Sequence, residues 1–396
     1  MMKKIFLLTL PLLFGAASCA PSGSSAATST EEYPALDYSV SYRDAGDGKG
    51  IITDAIGREV EIRPGSYQRV VCVGAGALRL YSYVGDMSLV CGVEDIDNTS
   101  LQDRPKMFDG VARPYLMANE ESLKKLPSCG VGGPNAQTAE PEKILSCNPD
   151  IVISEYEDKE KEDALQERLN VPVLTLNYGN GGLVDNGIYR TLAMLGKTFG
   201  KEERAKELID YHYGAMKAIF DKTKDITSKK KAYICGLGNW GTTNQFMTAQ
   251  NYNVFHVAHI DNVVTGLAKD GIQKIDEEKF ITLAPEMDIM IFDAAAVKNI
   301  RGKEYDFSIC EAFKNGEVYL QMAYNAYYTN VETALINAWF TAKCVYPDRF
   351  SDISIDAKAD EITEKFNGAK LYNSMKAKPQ SFGGYQKIAN PTEFFK

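Results

Sequence analysis

One stretch occurs twice in this chain, and it limits the possible folds more than any other feature. The first copy, Glu142-Lys143-Ile144-Leu145-Ser146-Cys147-Asn148-Pro149-Asp150, runs into Ile151-Val152-Ile153. The second, Glu278-Lys279-Phe280-Ile281-Thr282-Leu283-Ala284-Pro285-Glu286, runs into Ile289-Met290-Ile291-Phe292. Each places a Glu-Lys pair on a short amphipathic helix, a proline that stops the helix, and an apolar run of strand length beyond it. A single helix-to-strand unit is common in any α/β protein. Two with the same Glu-to-Pro offset predict two lobes of similar construction. The 396 residues, 44% hydrophobic and 24% charged, give each lobe enough apolar side chains for its own core.

The formal charge is −9 and becomes more negative if the N-terminal Lys3 and Lys4 are removed, so nothing draws the chain to polyphosphate and no nucleic-acid role is expected. Those lysines precede the apolar run Ile5 to Phe14 and the small residues Gly15-Ala16-Ala17-Ser18 before Cys19. This pattern reads as an export signal over residues 1–18 that is too short to span a bilayer. A cysteine directly after small residues resembles a lipobox, which makes Cys19 the expected lipidation site. The other seven cysteines show no CxxC or zinc spacing, so no metal-thiolate site is expected, and one disulfide stays open.

Residues 19–50 are rich in Ser, Ala, Thr, Gly and acidic side chains and read as a lipid-anchored flexible tether. An N-terminal α/β lobe is expected over 51–186. It begins with two short strands around Ile56-Gly57-Arg58. A strand-helix-strand unit follows in Arg69 to Val73, Gly74-Ala75-Gly76-Ala77-Leu78-Arg79-Leu80 and Leu89 to Val93. Such units build parallel sheets with ligands at the carboxyl ends of the strands. Gly74-x-Gly76 lacks the third glycine of a dinucleotide fingerprint. Its expected use is to bring backbone amides of a helix N-terminus, with Arg79, close to an anionic group. The segment Asn98 to Asn135 shows little periodicity but carries Arg104, Arg113 and Tyr115 and reads as functional surface.

Helical periodicity over 187–225, with a pause at Gly200, predicts the connection between lobes. The C-terminal lobe is expected over 226–375, with residues 376–396 as a surface extension. His256-x-x-His259 has no third ligand placed near it and reads as structural. Tyr324-Asn325-Ala326-Tyr327-Tyr328-Thr329-Asn330, just beyond a strand, gathers flat rings and hydrogen-bonding groups where a ligand would sit.

Thr53-Asp54-Ala55-Ile56-Gly57-Arg58-Glu59-Val60, Arg69-Val70-Val71, both Glu-Lys units and the single connecting helix together resemble the substrate-binding lipoproteins of ABC importers for iron(III)-siderophore, haem and cobalamin. Gly92-Val93-Glu94-Asp95 and Tyr346-Pro347-Asp348-Arg349-Phe350 look like an iron-compound-binding branch. The resemblance covers roughly residues 51 to 370. It implies the class III periplasmic-binding-protein fold: α/β, two lobes with central mostly parallel sheets, one long rigid helix between them and a ligand cleft. It also implies that Glu142 and Glu278 dock against arginines of a permease dimer served by ATPase subunits. The expected role is that of an exported, membrane-anchored monomer that binds an iron(III) chelate, is not an enzyme, and needs neither cofactor nor resident metal.

Arg79, Arg104 and Arg113 are expected to grip an anionic chelate. Tyr115, Tyr178, Trp240, Tyr324, Tyr327 and Tyr328 are expected to wall the cleft, with Gly76, Leu78, Asn135, Tyr156, Asn325 and Asn330 completing it. The alternatives within the class are cobalamin or haem. Outside it, a metallocluster enzyme would need cysteine or histidine ligands facing the cleft, and a permease-independent surface sensor or adhesion lipoprotein would use the same fold without docking.

Overall fold

In a computed structural model of the chain, residues 32–179, 185–238, 243–303 and 305–396 are described. The predicted signal segment and Cys19, as well as Trp240, lie outside the described residues. Among the described residues fifteen strands follow in chain order. β1 (Tyr42–Gly46), β2 (Lys49–Thr53) and β3 (Glu59–Ile62) form a small antiparallel sheet. β4 (Val70–Val73), β5 (Val90–Glu94), β6 (Ser128–Gly130), β7 (Ile151–Ser154) and β8 (Val173–Thr175) form the N-lobe sheet, in the order β6-β5-β4-β7-β8 with every pairing parallel.

In the C lobe, β9 (Lys231–Cys235) and β10 (Met247–Thr248) are followed by β11 (Asp261–Asn262), β12 (Gln273–Lys274), β13 (Ile289–Asp293), β14 (Val318–Gln321) and β15 (Gln386–Lys387). The main C-lobe sheet runs β11-β9-β13-β14-β15 and is parallel except at β15; β10 and β12 pair separately.

The sequence reasons for this layering are direct. β4, β7, β13 and β14 are buried at every position, as strands covered by helices on both faces must be, whereas β3 alternates exposed and buried. Both duplicated units fold as expected, with helix Pro141–Ser146 leading into β7 and helix Glu277–Leu283 into β13. Asp276 caps the second helix by accepting from the Lys279 amide at 2.6 Å.

The structure revises four boundaries. The expected tether is not loose over its described part. Tyr33 packs edge-on against Tyr213, 5.2 Å between ring centroids, and Asp37 pairs with Arg190, because the aromatic side chain finds an apolar shelf on the connecting helix. The region 187–225 is two helices, not one. Asn186–Phe199 ends at Gly200 in the left-handed conformation, φ 63°, and Glu202–Thr223 starts afresh. A Cβ on Gly196 would lie 2.7 Å from that of Ala205, so glycine lets the two helices pack this closely. The 22 residues of Glu202–Thr223 span about 33 Å at 1.5 Å per residue. At one end Arg204 donates to the Tyr83 carbonyl of the N lobe (3.0 Å), and at the other Thr223 bonds to the His259 ring of the C lobe (2.9 Å).

The irregular stretch Asn98 to Asn135 contains helix Pro114–Leu123 and β6, whose three residues are too few to show alternation. The last twenty-one residues are no surface extension. β15 borders β14, and Phe395 is buried with its ring 4.4 Å from that of Phe292.

His256 is exposed whereas His259 is buried, so the pair does not share a face. No group of three or more potential metal-ligating side chains occurs among the described residues. All seven described cysteines are free thiols.

Candidate functional site

The carboxyl ends of β4, β5, β7 and β8 in one lobe meet the segment that follows β14 in the other. The chain leaves β4 through Gly74 and Gly76, both at positive φ, and enters helix Ala77–Val84. These glycines create space. A Cβ on Gly76 would sit 2.1 Å from the Tyr178 hydroxyl, and one on Gly74 would sit 3.3 Å from Glu155. At this turn the Gly74 amide donates to Oε1 of Glu94 at 3.1 Å.

Arg79, one turn into that helix, is fully buried. Its guanidinium donates to Asn330 Oδ1 (3.1 Å), the Tyr178 hydroxyl (2.9 Å), and the carbonyls of Thr329 (3.1 Å) and Ala326 (2.8 Å), and it lies 4.6 Å from the centre of the Tyr115 ring. Three of these bonds, to Asn330, Thr329 and Ala326, fasten the C-lobe tyrosine segment to the N lobe, and the sequence distance bridged reaches 251 residues. Arg113 is buried in an ion pair with Asp97 (2.5 Å), which also accepts from the Tyr115 hydroxyl at 2.8 Å. Arg104 forks onto Asp109 with both contacts at 2.8 Å. The guanidiniums expected to grip a ligand therefore hold the protein together: each is drawn to an internal carboxylate or carbonyl before any ligand arrives.

The tyrosine segment closes on itself. Asn325 bridges Thr329, the Asn330 amide donates to the Tyr324 carbonyl (2.7 Å), and the Ala326 amide donates to that of Tyr328 (3.0 Å). Tyr327 and Tyr328 adopt φ of 54° and 69°, a left-handed conformation that costs a bulky residue about 1–2 kcal/mol. Strain of this kind concentrates at functional sites. It aims the two side chains apart in role. The Tyr327 hydroxyl crosses to the N lobe, donating to Glu94 Oε2 at 2.5 Å and accepting from the Gly133 amide at 3.1 Å. Tyr328 stays 43% exposed, its ring 4.5 Å from that of Tyr178.

Three carboxylates at strand ends complete the junction, and sequence reasoning missed them as site residues. Burial pushes Glu94 up to about 7 against the hydrogen bonds from Tyr327 and the Gly74 amide. Burial likewise pushes Asp293, which accepts from the Ala295 amide and Gln321, up to about 7. Glu155 rises to about 8 through burial and then the neighbouring charge of Glu157. The signal in the sequence was an acidic residue at the carboxyl end of the apolar strands β5, β7 and β13, the position where parallel sheets place their ligands.

Of the other expected residues, Leu78 belongs to the core, Tyr115 is fully buried, Tyr156 and Tyr324 are half-buried beside the junction, and Asn135 is exposed in the loop after β6. Glu142 and Glu278 are both exposed, in the first turns of the two duplicated helices, and Glu142 pairs with Arg168.

Two parallel-stranded lobes, a helix bridging them and a junction built from strand ends define a two-lobed binding protein of class III type. A family model described as periplasmic binding protein matches residues 109–320. The molybdate-binding protein MolA of Haemophilus influenzae is 21% identical over 255 residues, which is 57% of this chain and 69% of that one. Among solved structures, a periplasmic solute-binding protein from Veillonella parvula superposes with a TM-score of 0.65 at 20% identity, over 87% of this chain and 99% of that one. Molybdate-bound MolA superposes at 0.60 with 19% identity, over 81% and 98%. The chain belongs to the periplasmic binding protein family, the solute-binding components of ABC importers, which work outside the cytoplasm. No helix among the described residues is long and apolar enough to cross a membrane.

Proposed function

We propose that this protein captures an intact iron(III) chelate of siderophore type and delivers it to an ABC permease dimer from a lipid anchor at Cys19. One observation carries the ligand reading. Arg79 and Arg113 are spent on internal partners, while an exposed tyrosine at the mouth of the junction stands beside Tyr178, with Glu155 close to both rings and Glu157 close to that of Tyr328. Flat rings favour a broad, partly apolar ligand. Carboxylates with no free guanidinium among the described residues beside them favour one whose net charge is zero or positive. That departs from the anionic chelate expected from the arginines, and it also separates this chain from a protein that binds molybdate, an oxyanion.

Delivery rests on Glu142 and Glu278. They are exposed carboxylates at matching positions of the two duplicated helices, one on each lobe, Glu142 in an exposed pair with Arg168, suited to register a two-fold partner through charge pairing.

Calorimetric titration with ferric chelates of positive, zero and negative net charge, alongside haem, cobalamin, molybdate and free Fe(III), tests the ligand reading. Tightest binding of an uncharged or cationic iron(III) chelate is expected. Preference for molybdate, or for bare Fe(III), would overturn it.

A further inference from the structure

The duplicated helices carry more than a glutamate each. In both, the residue two after the glutamate is fully buried, Ile144 in one lobe and Phe280 in the other. The residue three after it is a large aliphatic side chain left in solvent: Leu145 is 41% exposed and Ile281 49%. Residues three apart on a helix are neighbours on one face, so each carboxylate stands next to an exposed aliphatic group. The lysine between them is turned back onto its own lobe, Lys143 onto Glu140 (3.0 Å) and Lys279 onto the Thr265 carbonyl (2.7 Å), so neither lysine covers its own glutamate; Glu142 meets Arg168 in an exposed ion pair, which a partner's basic group would have to displace.

A single exposed leucine means little. Here the same position is exposed in both lobes. Of the seven large hydrophobics exposed among the described residues, this matched pair is the one that sits in the two duplicated helices.

We infer that Leu145 and Ile281 are apolar anchors of the permease-docking surface, each seated in a shallow apolar depression beside a basic group of a two-fold symmetric partner. This rests on the docking reading of Glu142 and Glu278 and adds an energetic role for their neighbours. The charge fixes the sign of the partner's surface, and the duplication fixes its symmetry. Charges at such a surface set encounter rate and register, whereas the desolvated aliphatic contacts slow dissociation.

The test measures docking of the full chain to its permease–ATPase complex in nanodiscs, at low and high salt, for two double variants. Leu145→Ser with Ile281→Ser removes the aliphatic groups from exposed sites, so the fold is kept, and thermal melting verifies this. This pair is expected to weaken docking about tenfold at both salt concentrations, chiefly through faster dissociation. Glu142→Gln with Glu278→Gln is expected to weaken it chiefly at low salt, through slower association. Docking of the serine pair within about twofold of the parent, with the glutamine pair impaired, overturns the anchors and leaves the docking glutamates standing. Unchanged docking in both double variants overturns the two readings together.

Discussion

Arg79 is the residue on which the lobe junction turns, because its bonds to Ala326, Thr329 and Asn330 hold a strained loop against a different lobe. Lysine carries the charge but cannot reproduce the planar fork. Arg79→Lys should therefore destabilise the protein by about 2–4 kcal/mol in urea denaturation, since buried acceptors lose their donors. It should also weaken ligand binding by releasing Tyr328. The carboxylates give a pH signature. Glu94, Asp293 and Glu155 hold protons in the folded state up to about 7, 7 and 8, well above where an unfolded chain releases them. The folded state thus binds more protons between about pH 5 and pH 8, and stability falls as pH rises through that window. The melting temperature should decline across it, and Glu155→Gln should flatten the decline. If a cationic chelate draws Glu155 into its ionised form, binding at pH 7 should release a proton. Calorimetry in two buffers of different ionisation enthalpy would detect this release, and Glu155→Gln would abolish it.

At the scale of elements, the terminal segment decides how the C-lobe sheet ends. β15 borders β14, and the Phe395 ring lies against Phe292 and Phe307. Phe395→Ala should cost about 3 kcal/mol of unfolding free energy, and urea denaturation would reveal it; a loss under 1 kcal/mol would mean the end of the chain contributes little. Most of the fold was legible because it repeats a strong pattern. Fully apolar strands such as β4 and β13 and proline-stopped helices announce parallel sheets in any context. What was not legible depended on long-range partners. β6 and β15 are too short to carry a period, and the last twenty-one residues find their place only when the Phe292 surface exists to receive them. The site was half legible for the same reason. The tyrosine segment and Arg79 do come together, but nothing in the spacing shows that Arg79 spends its donors on that segment, or that Gly74 turns its amide to Glu94.

At the scale of the whole molecule this is a two-lobed binding protein, for which we propose ligand chemistry at the junction and delivery chemistry on the outer helices. The two functions separate: Glu142→Gln with Glu278→Gln should abolish uptake by proteoliposomes containing the permease while ligand affinity stays unchanged. The proposed lipidation of Cys19 predicts that radiolabelled palmitate enters the protein in cells and that Cys19→Ala abolishes the labelling. The central claim, that the cargo is an intact metal chelate, is tested most directly by native mass spectrometry of the protein isolated from its own envelope. One iron(III) chelate of zero or positive charge bound per chain is expected. A bound oxyanion, or a bare metal ion, would contradict it.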